Sequence, residues 1–250
     1  MPYRHPAWIS RARARMRHQR GVTLVEAAFV MPIFLLFLMA IFESGLYMRN
    51  YLGVSNAVRS ASRAASAAGA QNGRWETPTK PNAQITSADL YIVNSVARES
   101  AAIPRSAIQF IVVYKATGFG AGPSDEEEAG VPGSCLTGVP RAGLCNVYTP
   151  ADFDRATIEI AERQRHALAV QTNVNDILDP SKITFGCNTS SPDRFWCPDT
   201  RKDRLTDNNY NGPDYVGVYM RIRHEWLTGI FGEGRFIDDQ SVVKIEPRQR

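Results

Sequence analysis

Few side chains in this sequence are spaced for chemistry, and those few point to structure more than to turnover. Asp207, Asn209 and Asn211, followed by Gly212, fit the first half of a D-x-[DN]-x-[DN]-G loop, in which alternate side-chain oxygens bind calcium and the glycine makes the turn. The bidentate glutamate that completes such a loop is missing, because the twelfth position is Val218, although Asp214 stands close enough in sequence to substitute. Asn, Asp and Gly are also the ordinary residues of turns. The segment is a weak calcium candidate beside a plain loop, and no other metal site or cofactor is expected.

Four cysteines stand at Cys135, Cys145, Cys187 and Cys197. Nine residues separate the members of each pair, whereas zinc ligands are usually separated by about two to four. In an exported domain an even count favours disulfides. Local pairing, Cys135 with Cys145 and Cys187 with Cys197, closes two short loops next to glycine or proline; crossed pairings, a metal or free thiols are the alternatives. The sequence has no G-x-S-x-G, no H-E-x-x-H and no phosphate-binding glycine loop. His5 and His18 lie in the basic start, while His166 and His224 each stand alone and read as helix-surface or strand residues. Trp196 and Trp226 read as packing residues. No catalytic residue is assigned and no enzymatic activity is expected.

Two carboxylates, Glu26 and Glu43, bracket a sixteen-residue uncharged run from Ala27 to Phe42. A carboxylate inside a membrane-spanning segment costs about 2.5–3.5 kcal/mol at mid-bilayer and usually finds a partner. Glu26 either meets a cation on a neighbouring helix or sits a turn into the bilayer and reaches back to the interface. Glu43 lies about 25 Å further along a helix, near the opposite interface.

The elements that must position these groups begin with the apolar segment, Val22 to Tyr47, which is long enough to span a bilayer. Six arginines and no acid fall within residues 1–20, so the formal charge of +4 becomes −2 without them. The basic character thus belongs to the N-terminus, which the positive-inside rule keeps in the cytoplasm, and a nucleic-acid partner loses its support. A cleavable secretory signal is opposed by the length of the run and by the continuing helical sequence after Phe42. Alanine-rich residues 48–70 extend the helix, roughly 23–68 in all with Pro32 inside it, and Gln71-Asn72-Gly73 supplies a stop.

Beyond a loop at 77–83, Ser87 caps a helix expected over 88–102, with Leu90, Val93, Val96 and Ala101 as its apolar stripe. Ile108–Lys115 reads as a strand. Residues 116–150, with the acidic run 125–128, read as a long exposed loop, and 151–169 as a further helix. Residues 215–225 alternate, with Val216, Val218, Met220 and Ile222 on one face and Arg221, Arg223 and Glu225 on the other, as in a half-buried antiparallel strand. Ser241–Ile245 makes a last strand. The fold class is α+β: a long N-terminal transmembrane helix carrying an extracytoplasmic domain with an antiparallel sheet. The expected division is a basic leader at 1–21, a membrane helix at 22–47, its continuation at 48–70 and an external domain at 71–250.

The order of the N-terminal parts, a basic leader, Gly21, Val22-Thr23-Leu24-Val25-Glu26 and then the apolar run, resembles a type IV prepilin signal. With Glu43 and the alanine-rich helix it resembles, more narrowly, the TadE-like pseudopilins of tight-adherence (Flp) pilus systems. The Tyr215-Val216-Gly217-Val218 strand, His224 and the ending Ser241-Val242-Val243-Lys244-Ile245-Glu246-Pro247 are similar to the closing strand of those proteins. The resemblance covers residues 18–70 and 213–247. It implies cleavage by a prepilin peptidase between Gly21 and Val22, with Glu26 the fifth residue of the mature chain and Glu26 and Glu43 as assembly residues. It also implies partners among other pilins, pseudopilins, inner-membrane pilus assembly proteins and the lipid bilayer, and a single-pass membrane protein whose role is pilus assembly and adhesion. The rival reading is an uncleaved single-pass protein whose external domain binds something unrelated to pili.

Overall fold

A computed structural model describes residues 8–68, 87–117, 130–173, 175–202, 212–229 and 231–246, with side chains of the first helix described from Leu24 onward. Helix α1 runs from Trp8 to Ala68. Its C-terminal end agrees with expectation, but it starts well before residue 23. The alanines and arginines of the basic segment are good helix formers, and Gly21 is a single tolerable interruption. Pro32 lies inside α1 without ending it.

The second half of α1 is the spine of the domain. Val54, Ala57, Val58, Ala61 and Ala65 are fully buried and recur at three- and four-residue steps, which places them on one face. Helix α2, Ala88–Glu99, packs on that face. Ser87 caps it by accepting a hydrogen bond from the Asp89 amide. Leu90, Val93 and Val96 are buried as expected, with Ile92 and Ala97 added, but Ala101 is exposed beyond the helix end. Pro104 disfavours helix in the residue before it, and Ile103 instead turns inward, its Cδ1 close to where a side chain on Gly53 of α1 would begin.

Strand β1 (Ile108–Ala116), β2 (Cys145–Tyr148), β3 (Tyr215–His224) and β4 (Arg235–Lys244) form one antiparallel sheet in the order β2-β1-β3-β4. Helix α3, Pro150–Thr172, follows β2 and packs on α2. Asp152 in its first turn accepts from the Thr149 amide and hydroxyl, a capping arrangement that fixes its start.

Three expectations are corrected. The stretch 116–150 contains β2, which pairs Val147 with Val112 of β1. β4 begins at Arg235, six residues before the expected Ser241, because its polar first half, with Asp238 and Asp239, is recruited by pairing with β3. β3 is buried on both faces over most of its length. On one face Val216, Val218, Met220 and Ile222 join the main core with α1 and α2; on the other, Tyr219 joins Val112, Tyr114, Val131 and the Cys135–Cys145 disulfide. The segment carrying Cys135 covers what would otherwise be a solvated face. Glu225 lies just past the strand end.

Both disulfides are local: Cys135–Cys145 and Cys187–Cys197. The second secures a loop that is also held by buried carboxylates. Glu159 accepts from the Thr184 and Phe185 amides at 2.6 and 2.9 Å, and Asp193 accepts from the Gly186 and Cys187 amides. Asp89 accepts from Arg201, Asn146 and Tyr148 in the core between them.

Candidate functional site

The site is the stretch of α1 that leaves the domain, together with the junction where it does so. From Leu24 to Phe42 every residue of α1 is exposed except the half-buried Leu38 and Ala40. Phe29 is 73% exposed, Phe37 67% and Phe42 65%. Nineteen residues of helix are about 28 Å long, close to the roughly 30 Å of a bilayer's hydrocarbon core. Apolar side chains left open over that length have no stabilising surroundings in water. Among the described residues one helical segment, Leu24–Ala68 of α1, is long and apolar enough to cross a membrane.

At Glu43 one face of the helix turns into the domain, while Ser44, Gly45, Met48 and Arg49 stay exposed. The glutamate is 1% exposed. Its Oε1 accepts from the Thr228 amide at 2.7 Å and from the Thr228 hydroxyl at 2.8 Å, and its Oε2 accepts from the Leu227 amide at 3.2 Å. Leu227 and Thr228 belong to the connection between β3 and β4, so one side chain of α1 satisfies the turning backbone of that hairpin. One helical turn on, Tyr47 stacks on Trp226 with ring centroids 5.7 Å apart and meets the edge of His224 at 5.4 Å. Two turns on, the buried Asn50 Nδ2 lies 2.9 Å from His224 Nδ1. With the Asn50 amide donating, the imidazole is neutral and carries its proton on Nε2. Burial holds the His224 pKa below its ordinary value, and the charge of Glu43 opposes that shift only in part.

The far end of the helix is tied in the same direction. Ser62 and Ser241 hydroxyls are 3.0 Å apart, Ser66 Oγ donates to the Lys244 carbonyl, and the Glu246 amide donates to the Ser66 carbonyl. Helix and β4 therefore run side by side in the same sense, with contacts pairing 43 with 228, 62 with 241 and 66 with 244. The second half of α1, fastened from Glu43 to Ser66, moves with its domain as one body.

The sequence-predicted residues are distributed unevenly over this arrangement. Glu26 is exposed on the free part of α1, and the backbone passes through Gly21 and Val22 in unbroken helix. Glu43 is in the junction. Asp207, Asn209 and Asn211 lie outside the described residues; Asp214, which is described, accepts from the Lys202 amide at 2.9 Å and so orders the start of β3. Among the described residues no group of three His, Cys, Asp or Glu side chains is placed to hold a metal ion.

Sequence reasoning missed Asn50, Leu227 and Thr228, and read His224 as a lone strand residue and Trp226 as a packing residue. One signal was present. Glu43, Tyr47, Asn50 and Val54 follow steps of four, three and four, so the two polar residues lie on the same helical stripe as the buried core. A carboxylate and an amide in register with a core stripe require polar partners from the domain.

Fold and site together define a class: an α+β domain built around the second half of a single long helix whose first half is a free apolar rod of membrane length. Residues 21–63 match the family model described as TadE-like protein. The match begins at the glycine before the apolar run and takes in Glu26, Glu43, Tyr47, Asn50 and the first core residues of α1. No curated protein and no solved structure matches the chain.

Proposed function

We propose that this protein is a pseudopilin or minor pilin, inserted by α1 as a single membrane span and taking part in the assembly or stabilisation of a tight-adherence pilus or a related secretion machine. Residues 1–21 are its leader, 22–47 its membrane helix, 48–70 the helix continuation and 71–250 its extracytoplasmic domain. The observation that carries this reading is the coincidence of the TadE-like match at 21–63 with the nineteen-residue exposed apolar rod. A prepilin peptidase cuts between Gly21 and Val22. The new amino group and Glu26 then supply opposite charges, and helices of different subunits bundle so that one subunit's carboxylate meets another's amine. The work of the protein is assembly and not catalysis. Its partners are other pilins, the inner-membrane assembly proteins and the bilayer, and a role in adhesion follows from the pilus it serves.

The unbroken helix across Gly21 and Val22 favours the other reading, an uncut anchor for a partner-binding domain, because a peptidase has to open that turn to reach the bond. Mass spectrometry of membrane-extracted protein from cells with an active prepilin peptidase separates the two. An N-terminus at Val22, lost in Gly21→Leu, is expected, and an intact N-terminus overturns the pilin reading.

A further inference from the structure

The connection between β3 and β4 carries two large apolar side chains that stand exposed: Leu227, 76% exposed, and Phe231, 51% exposed. They are not scattered surface residues. The Leu227 amide is bonded to Glu43, and Phe231 lies against Trp226 at 5.3 Å between ring centroids, with Trp226 stacked in turn on Tyr47. The loop is therefore fixed at the level of α1 where the exposed apolar run ends. If residues 24–42 fill the hydrocarbon core, Glu43 stands at its boundary, and so does whatever Glu43 holds.

We propose that this hairpin connection is a second membrane contact, with Leu227 and Phe231 seated in the interfacial layer of the bilayer beside the point where α1 emerges. The proposal rests on the single-span reading of α1 and deepens it. Two features select lipid as the occupant. The patch is fastened to α1 at Glu43 and Tyr47, directly after the exposed apolar run. Its Tyr47 and Trp226 are of the kind that collects at membrane interfaces. Two contacts, the rod and the hairpin, fix the tilt and rotation of the domain over the bilayer, whereas a rod alone fixes neither.

The test uses the full chain in vesicles of phosphatidylethanolamine and phosphatidylglycerol that carry nitroxide-labelled lipids, with an environment-sensitive fluorescent amino acid placed singly at 227, 231, 35 or 144. Leu35 reports the membrane span. Leu144, 42% exposed, adjoins Cys145, which pairs through Tyr114 to the level of Gly217. That level is seven strand residues from His224, about 23 Å from the hairpin end. Positions 227 and 231 are expected to be quenched severalfold more than 144, most by nitroxides near the headgroup, and position 35 by nitroxides deep in the chain. Quenching at 35 with 227 and 231 no greater than 144 overturns the hairpin contact and leaves the span standing, including the case in which a partner protein covers the patch. Absence of quenching at 35 removes the span and the hairpin contact with it.

Discussion

Replacing Glu43 with alanine tests whether the helix and the hairpin are joined by the carboxylate or merely adjacent. The substitution removes two strong acceptors and strands three donors: the Thr228 amide at 2.7 Å, its hydroxyl at 2.8 Å and the Leu227 amide at 3.2 Å. Hydrogen bonds to a charged group contribute about 1.5–3 kcal/mol each where water is excluded. Here the carboxylate is buried, but Leu227 and Thr228 are exposed, so water can replace part of what is lost. A net local cost of about 2 kcal/mol is the reasonable expectation, equivalent to roughly a 30-fold change in the opening equilibrium. Hydrogen exchange read by mass spectrometry on the full chain in lipid nanodiscs measures this directly. Peptides spanning 225–234 should exchange faster by about that factor in Glu43→Ala, while β1 and β3 amides keep their protection. Glu43→Gln, which keeps one carbonyl oxygen but turns a donor toward the amides, should fall between. Wild-type exchange at 227 and 228 in Glu43→Ala would show that the carboxylate does not hold the loop.

Gly217→Ala should destabilise the domain by about 1–3 kcal/mol through overpacking, because the new Cβ would lie 2.0 Å from Cζ of the buried Tyr114; an unchanged denaturation midpoint contradicts that geometry. Converting Cys187 and Cys197 together to serine should cost about 3 kcal/mol for a ten-residue separation on the chain-entropy account, read from the same midpoint, and a midpoint shift near zero would count against it. His224 is held neutral by burial, so the unfolded chain takes up a proton first as pH falls through its ordinary value of 6.5, and stability should drop below that pH. His224→Gln should flatten that part of the profile, and an equally steep profile would place the titration elsewhere. On the proposed pilin reading, Glu26→Gln should leave insertion and the proposed cut at Gly21 intact while co-purification with pilins falls; wild-type association in the cleaved variant would rule out the charge pairing.

How far the fold could be read from the sequence depended on whether a signal was local. The cap at Ser87, the strand at 108–116 and the end of α1 at Ala68 were legible because propensity and pattern agree there. β2 was not. Four residues, Cys145 among them, in a glycine- and proline-rich stretch carry no periodicity, and they become a strand only because Val112 and Val113 offer an open edge. The polar half of β4 was hidden for the same reason: Asp238 and Asp239 argue against a strand, yet β3 pairs with every residue from 235 to 244. Tyr219 shows a third limit. Alternation along β3 told the faces apart, but whether the second face met water depended on a segment about eighty residues earlier in the chain.

The acidic residues of the site were hard to read for a more specific reason, which also bears on how the two carboxylates that bracket the apolar run divide their roles. This domain uses carboxylates repeatedly as acceptors for backbone amides of irregular segments: Glu159 for Thr184 and Phe185, Asp193 for Gly186 and Cys187, and Glu43 for Leu227 and Thr228. Residue type alone does not separate such an acid from a solvated one, since most of its partners are backbone atoms; for Glu43 only its register with the core stripe marks it. Glu43 thus has the environment of an internal fastener, with both oxygens engaged within its own chain. Glu26 lies exposed seventeen residues earlier, on the part of α1 that touches nothing in the domain. On the proposed reading, pairing between subunits falls to Glu26, and Glu43 fixes the hairpin connection beside the emerging helix once the helices have bundled. Loss of Glu26 would then separate subunits that remain individually well ordered, whereas loss of Glu43 would leave them joined, with the domain still packed on the second half of α1 and only the hairpin connection loosened.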